Sequence, residues 1–167
     1  MIYRLPAADE PLDQGDIIRG CPLVVVEGYD PAQPERLPVK GAPTRVIILT
    51  QACDLANQKA NSVVVAAVLD AQALVTQGLL KTADIKGPIR AGRVFGWYFL
   101  PKSAELGLPE MIVDLRQLHT VRAKLLLDLC ERGQRQARVE PLYREHLAKH
   151  MADTYSRIGL PQPYETD

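Results

Sequence analysis

Two short runs of aliphatic and β-branched residues, Thr44–Thr50 (TRVIILT) and Ser62–Leu69 (SVVVAAVL), constrain this chain most. Both have the length and side-chain content of buried β-strands. Ile17–Glu27 reads as a third strand, with Gly20 and Pro22 marking a bulge or a sheet edge. Gly28–Pro43 carries Pro31, Pro34, Pro38 and Pro43 among charged residues and predicts a long exposed loop. Gly96–Leu100 and Met111–Leu115 are further strands, the second extended by Gln117–Val121. Trp97, Tyr98 and Phe99 are consecutive, so one of them faces away from its neighbours, either to stack on a partner or to be covered by a helix.

Helical spacing appears between the strands and dominates the last third. Ala71–Lys81 predicts a helix with Ala73, Leu74 and Leu80 inward, and Lys86–Gly92 (KGPIRAG) a turn. From Arg122 to Arg132, Leu125, Leu126, Leu129 and Cys130 recur on one face. Pro141 opens a final helix whose face is Leu147, Met151, Tyr155 and Ile158, ended by Gly159 and Pro161. Strands first and helices last describe an α+β chain. At 167 residues and 47% hydrophobic content, one domain over 1–161 with a flexible tail over 162–167 is expected.

Twenty acidic and twenty basic residues cancel, so no general field draws the molecule to nucleic acid or an anionic membrane. The acidic N-terminal stretch lacks the apolar core of a signal peptide, and no run spans a bilayer. Cys21, Cys53 and Cys130 are odd in number and widely spaced, which fits reduced thiols in a cytoplasm.

Four groups of residues carry chemistry. In Thr50-Gln51-Ala52-Cys53-Asp54, reactive side chains follow an apolar strand directly. Cys53 is there either a nucleophile partnered by His119, with Asp114 or Asp54 orienting the imidazole, or a buried small residue beside an N-capping Asp54. His146 and His150 stand four apart on one helix, a spacing able to grip a metal. With neither HExxH nor CxxC in the chain, no metal or other cofactor is expected. Arg132, Arg135, Arg138 and Arg144 form the densest basic stretch, either a phosphate-binding patch or a solvated helix face diluted by Glu131, Glu140 and Glu145.

Gly15-Asp16-Ile17, Arg45 leading into Val46-Ile47-Ile48, the strand Val63–Leu69, and Val113-Asp114-Leu115-Arg116-Gln117-Leu118 before two helices resemble the PemK/MazF toxin family. That resemblance implies a small SH3-like β-barrel closed by C-terminal helices, often dimeric, and RNA cleavage using an arginine that corresponds to Arg45. The hydroxyl residue of the family corresponds here to Leu69 and Asp70, and a leucine cannot take part in proton transfer. The chain is also similar to uncharacterised bacterial proteins that pair a Gln-x-Cys-Asp segment with Arg-x-Gly-Leu-Pro, here Gln51-Ala52-Cys53-Asp54 and Arg157-Ile158-Gly159-Leu160-Pro161.

Three functions follow as expectations. The first is a diverged, non-catalytic module binding a protein or nucleic acid in a toxin or defence-type system. The second is an endoribonuclease using Arg45 with Asp54, Asp70 or His119, and the third a cysteine hydrolase using Cys53 and His119. Convergence of Arg45, Gln51, Cys53, Asp54 and His119 on one pocket would favour an enzyme.

Overall fold

The computed structural model describes residues 1–56 and 61–156. The expected tail, the Arg157–Pro161 segment and Ile158 lie outside the described residues. Strand β1 (Tyr3–Arg4) precedes the long pair β2 (Asp16–Val26) and β3 (Val39–Ile48). After the short helix α1 (Ala52–Ala56) come β4 (Ser62–Asp70), α2 (Ala71–Thr76) and α3 (Thr82–Asp84), the last continued by a π-helical turn at Ile85–Ile89. Strands β5 (Trp97–Leu100) and β6 (Met111–Arg122), helix α4 (Ala123–Glu131), strand β7 (Arg135–Val139) and helix α5 (Pro141–Tyr155) complete the order.

All seven strands join one antiparallel sheet in the order β1-β7-β2-β3-β4-β6-β5. The fold is therefore α+β, as expected. A closed barrel is not what the strand order gives, because β1 and β5 are the two edges and exchange no backbone ladder among the described residues. The sheet instead curls until its edges meet through side chains. Tyr3 of β1 donates its hydroxyl to the carbonyl of Pro101, just past β5, at 2.7 Å.

Alternation along the strands loads both faces of this curled sheet. Ile17, Ile47, Leu49, Ala66 and Val68 point to the inner side, where they meet Tyr3, Tyr98, Leu100, Val113 and Leu147 of α5. Ile18, Val46, Ile48, Val63 and Val65 point outward and are covered by Leu126 of α4, with Leu125, Leu129 and Cys130 packed around it. A third cluster sets Leu74 of α2 and Ile85 and Ile89 of the π turn against Trp97 and Ile112. Trp97 and Tyr98 are thus both buried, one on each face of β5, so the aromatic run is covered on both sides.

Three local expectations need correction. Val39–Pro43 belongs to β3 and not to the loop, and Pro43 sits opposite Pro22 of β2, so neither proline takes a donor from the ladder there. Lys86–Gly92 is not a simple turn, since Pro88 and its neighbours form the π-helical turn that ends in Arg90. The segment after Arg132 is a strand and not a helix face. Gly133, at φ 70°, ends α4 in the left-handed conformation that favours glycine, and its neighbour Gln134 donates back to Leu129. The chain then reverses into β7.

Candidate functional site

The segment after β3 is built as a tight exit from the sheet. Leu49 and Thr50 both donate their backbone N–H to Val64, and the Thr50 hydroxyl accepts the N–H of Val64 at 2.7 Å. Asp54 and Leu55 then donate to the carbonyl of Gln51, which winds α1. Leu55 packs on the outer core, and Gln51, Cys53 and Asp54 are left exposed. Cys53 is therefore not a buried apolar residue. Among the described residues its thiol lies 3.7 Å from Gln51 Oε1 and 3.9 Å from Asp54 Oδ1, an amide and a carboxylate where an imidazole was expected.

His119 stands on β6 opposite Val65, so its side chain shares the outer face of the sheet with that valine. It lines a shallow cavity with Pro22, Leu23, Val24 and Leu125, a set that does not include Cys53. Arg45 is two residues before Ile47 and shares its inner face. Its Nε donates to Gln136 Oε1 at 2.7 Å, and its Nη1 lies 3.4 Å from Met111 Sδ. Arg45 and His119 are consequently on opposite sides of one sheet. Asp114, the suggested orienter of His119, is held in a two-pronged pair by Arg116, at 2.9 and 2.8 Å. Asp70, a candidate acid or base, caps α2 by accepting the N–H of Ala73. Gln51, Cys53 and Asp54 come together, and Arg45 and His119 do not join them.

The basic cluster is also rearranged. Arg135 and Arg138 lie on β7, where they clamp the N-terminal segment. Arg138 Nε and Nη2 bind the two oxygens of the fully buried Asp16 at 2.6 and 2.9 Å, and Nη1 reaches Glu10 Oε2 at 3.0 Å. Arg135 donates to the carbonyls of Ala7, Glu10 and Pro11 and to Asp16 Oδ2. Arg144 of α5 pairs with Asp13 at 2.7 Å. Only Arg132, at the C-terminal cap of α4, remains exposed. In place of the expected solvated helix face, three of the four arginines form an ionic staple with the N-terminal segment. Glu10, gripped by both prongs of Arg4 and by the Ala7 N–H, is held well below the usual carboxylate range, at about 2.

The two histidines of α5 serve one tyrosine. His146 Nδ1 lies 3.1 Å from the Tyr98 hydroxyl, while His150, buried, packs its ring edge-on to Tyr98 and donates Nε2–H to Val94. Among the described residues no group of three His, Cys, Asp or Glu side chains is arranged to hold a metal. Burial pushes the thiol of Cys21 up to about 11 and raises that of Cys130, so neither is poised as a nucleophile.

What the residue reading missed is the free-standing end of the β2–β3 pair. β7 reaches β2 only at Asp16–Ile18, and β4 reaches β3 only at Val46–Ile48. From Leu23↔Ala42 to Val26↔Val39 the two strands pair only with each other among the described residues. They form an arm whose side chains are mostly uncovered: Val24 is 57% exposed, Val39 59% and Tyr29 66%, with Val25, Val26 and Leu37 also exposed. The signal for it is the Val24-Val25-Val26 run itself, apolar on both faces and placed where no third strand follows within the next dozen residues. Comparison with protein-family models and with curated proteins finds no match to this sequence.

Proposed function

We propose that the chain is a non-catalytic binding module that takes a protein partner by strand addition along the β2–β3 arm. The observation that carries this reading is the arm itself. It offers two open backbone edges flanked by exposed Val24, Val25, Val26, Leu37 and Val39. An edge with this character is an aggregation hazard unless a partner covers it, and main-chain pairing with pockets for alternate side chains is the way such an edge is used. Its charges, Glu27, Asp30 and Glu35 against Arg36 and Lys40, slightly favour acid. A phosphate backbone is therefore the less suitable occupant.

The scatter of the expected catalytic residues supports the non-catalytic half of the proposal. We further place the chain as a diverged relative of PemK/MazF-type toxins, of the kind that serve toxin or defence systems. The succession from Gly15-Asp16 through Arg45 to the two C-terminal helices and the curled sheet are in keeping with that placement. Arg45 is engaged by Gln136, Asp70 caps α2, and His119 lies on the opposite face of the sheet from Arg45, all of which weigh against the ribonuclease reading.

The test compares the purified chain with a Val24→Lys, Val39→Glu variant. Affinity capture followed by mass spectrometry is expected to retain the same protein with the wild type and to lose it with the variant, at unchanged melting temperature. Equal capture by both, or RNA cleavage that Arg45→Ala abolishes, would overturn the proposal.

A further inference from the structure

The seam where the sheet edges approach each other encloses a second feature, separate from the arm. A cavity of about 290 Å³ opens there. Its apolar walls are Ile2 beside β1, Ile89 of the π turn, and Phe99 and Pro101 at the end of β5, and the Tyr98 hydroxyl, His146 and Arg90 also line it. That volume is at the small end of ligand pockets, and the pattern of apolar walls with a few convergent polar groups is theirs.

The proton arrangement at the polar end follows from hydrogen-bond counting. The Tyr98 hydroxyl has one hydrogen and two acceptors in reach, His146 Nδ1 at 3.1 Å and the carbonyl of Tyr143 at 3.3 Å; given to the nearer one, it leaves the imidazole hydrogen on Nε2. His146 in that tautomer has an Nε2–H to donate, and the residue is exposed. Burial pushes the Tyr98 hydroxyl up to about 12, which keeps it neutral in this role.

Arg90 supplies the charge. Its guanidinium sits 5.5 Å from the Phe99 ring centroid, and among the described residues it has no carboxylate partner. Arg116 shows the contrast on the neighbouring strand, stacked 3.8 Å over Trp97 and also neutralised by Asp114. No acidic residue is among those lining the cavity. An unneutralised arginine, an imidazole N–H and an apolar floor are complementary to an anion with a short apolar body.

We infer that this seam cavity binds a small organic anion, its carboxylate or phosphate head between Arg90 and His146 and its apolar body against Ile2, Ile89 and Pro101. The head and the body contribute separately, so four probes resolve them by calorimetry on the full chain: benzoate, phenyl phosphate, inorganic phosphate and benzyl alcohol. Benzoate or phenyl phosphate is expected to bind at least tenfold more tightly than either inorganic phosphate or benzyl alcohol, and whichever of the two is tighter names the head. Arg90→Ala and His146→Asn are each expected to weaken that probe tenfold or more, while Arg132→Ala, at the end of α4, leaves it unchanged. Amide NMR shifts confined to Ile2, Ala91, Gly92 and Phe99 would locate the site without any variant. Failure of all four probes at millimolar concentration, or binding that Arg90→Ala does not alter, would overturn the inference. Since the arm takes no part, loss of partner capture and loss of probe binding are independent results.

Discussion

Asp16 is the residue on which the N-terminal third depends. It is 0% exposed, and it accepts from Arg138 twice, from Arg135 and from the N–H of Asp13. A buried pair adds little by existing, but removing one partner strands the other charge without solvent. Asp16→Asn is therefore expected to cost about 3 kcal/mol in urea unfolding. Adding Arg138→Gln should return part of that loss, because the uncompensated charge goes with it; a strictly additive double variant would show that the pair is not coupled. Glu10 gives the pH dependence of the same staple. Its folded value of about 2 is below the ordinary 4.5, chiefly through Arg4, so its stabilising contribution is complete above about pH 4.5 and disappears as the pH falls toward 2. Melting temperatures measured across that window should fall more steeply for the wild type than for Glu10→Gln, and parallel curves would remove Glu10 from the account. None of this was legible from the residues alone. Arg135 and Arg138 are three apart, which suits one helix face, and only the reversal at Gly133 together with the register break between β7 and β2 brings both to Asp16.

At the scale of elements, apolar content decided what could be read. The cores of β2, β3, β4 and β6 and the helix α4 follow from runs or periodicities strong enough to fix burial by themselves. On α5, by contrast, Leu147 is buried as expected but Tyr155 is 54% exposed and His150 is buried instead. β1 and β7 are short and carry Tyr3-Arg4 and Arg135-Gln136-Ala137-Arg138-Val139, whose polar members look solvated until their carboxylate partners are known. The α2 expectation ran five residues too long because Gly78 and a return of the chain through Leu79 and Leu80 interrupt it. For the site, sequence reading found Gln51, Cys53 and Asp54 as a cluster and could not see that Arg45 and His119 fall on opposite faces, which is set by strand register. One element carries its own test. β6 breaks its register with β4 between Asp114 and Leu118, and the bulge lays Arg116 across Trp97 and against Gly96. A Cβ on Gly96 would sit 2.6 Å from Arg116 Cγ, at a φ of 84°. Gly96→Ala is expected to cost on the order of 1–3 kcal/mol and to change the Trp97 fluorescence as Arg116 is displaced. An unaltered emission spectrum would mean that the arginine does not depend on this glycine.

The whole molecule is a sheet rolled far enough to bring its edges together but not far enough to pair them. Closure passes to side chains: the Tyr3–Pro101 hydrogen bond, and α5 laid across the mouth with Leu147 buried among the inner core residues that include Tyr3, Tyr98 and Val139. Tyr155, near the end of α5, donates its hydroxyl to Leu115, tying the helix to β6 as well. In a closed barrel the last helix would be an addition, whereas here it completes the inner core. Leu147→Ala is therefore expected to cost about 2–5 kcal/mol, the range for a fully buried leucine, and to lower the whole unfolding transition rather than fray one helix. Hydrogen exchange distinguishes the two cases. If α5 closes the sheet, amides of β1 and β5, at opposite edges, should lose protection together with those of α5. If protection falls in α5 alone while β1 and β5 keep theirs, the sheet holds its curl without the helix, and the seam between its edges owes nothing to α5.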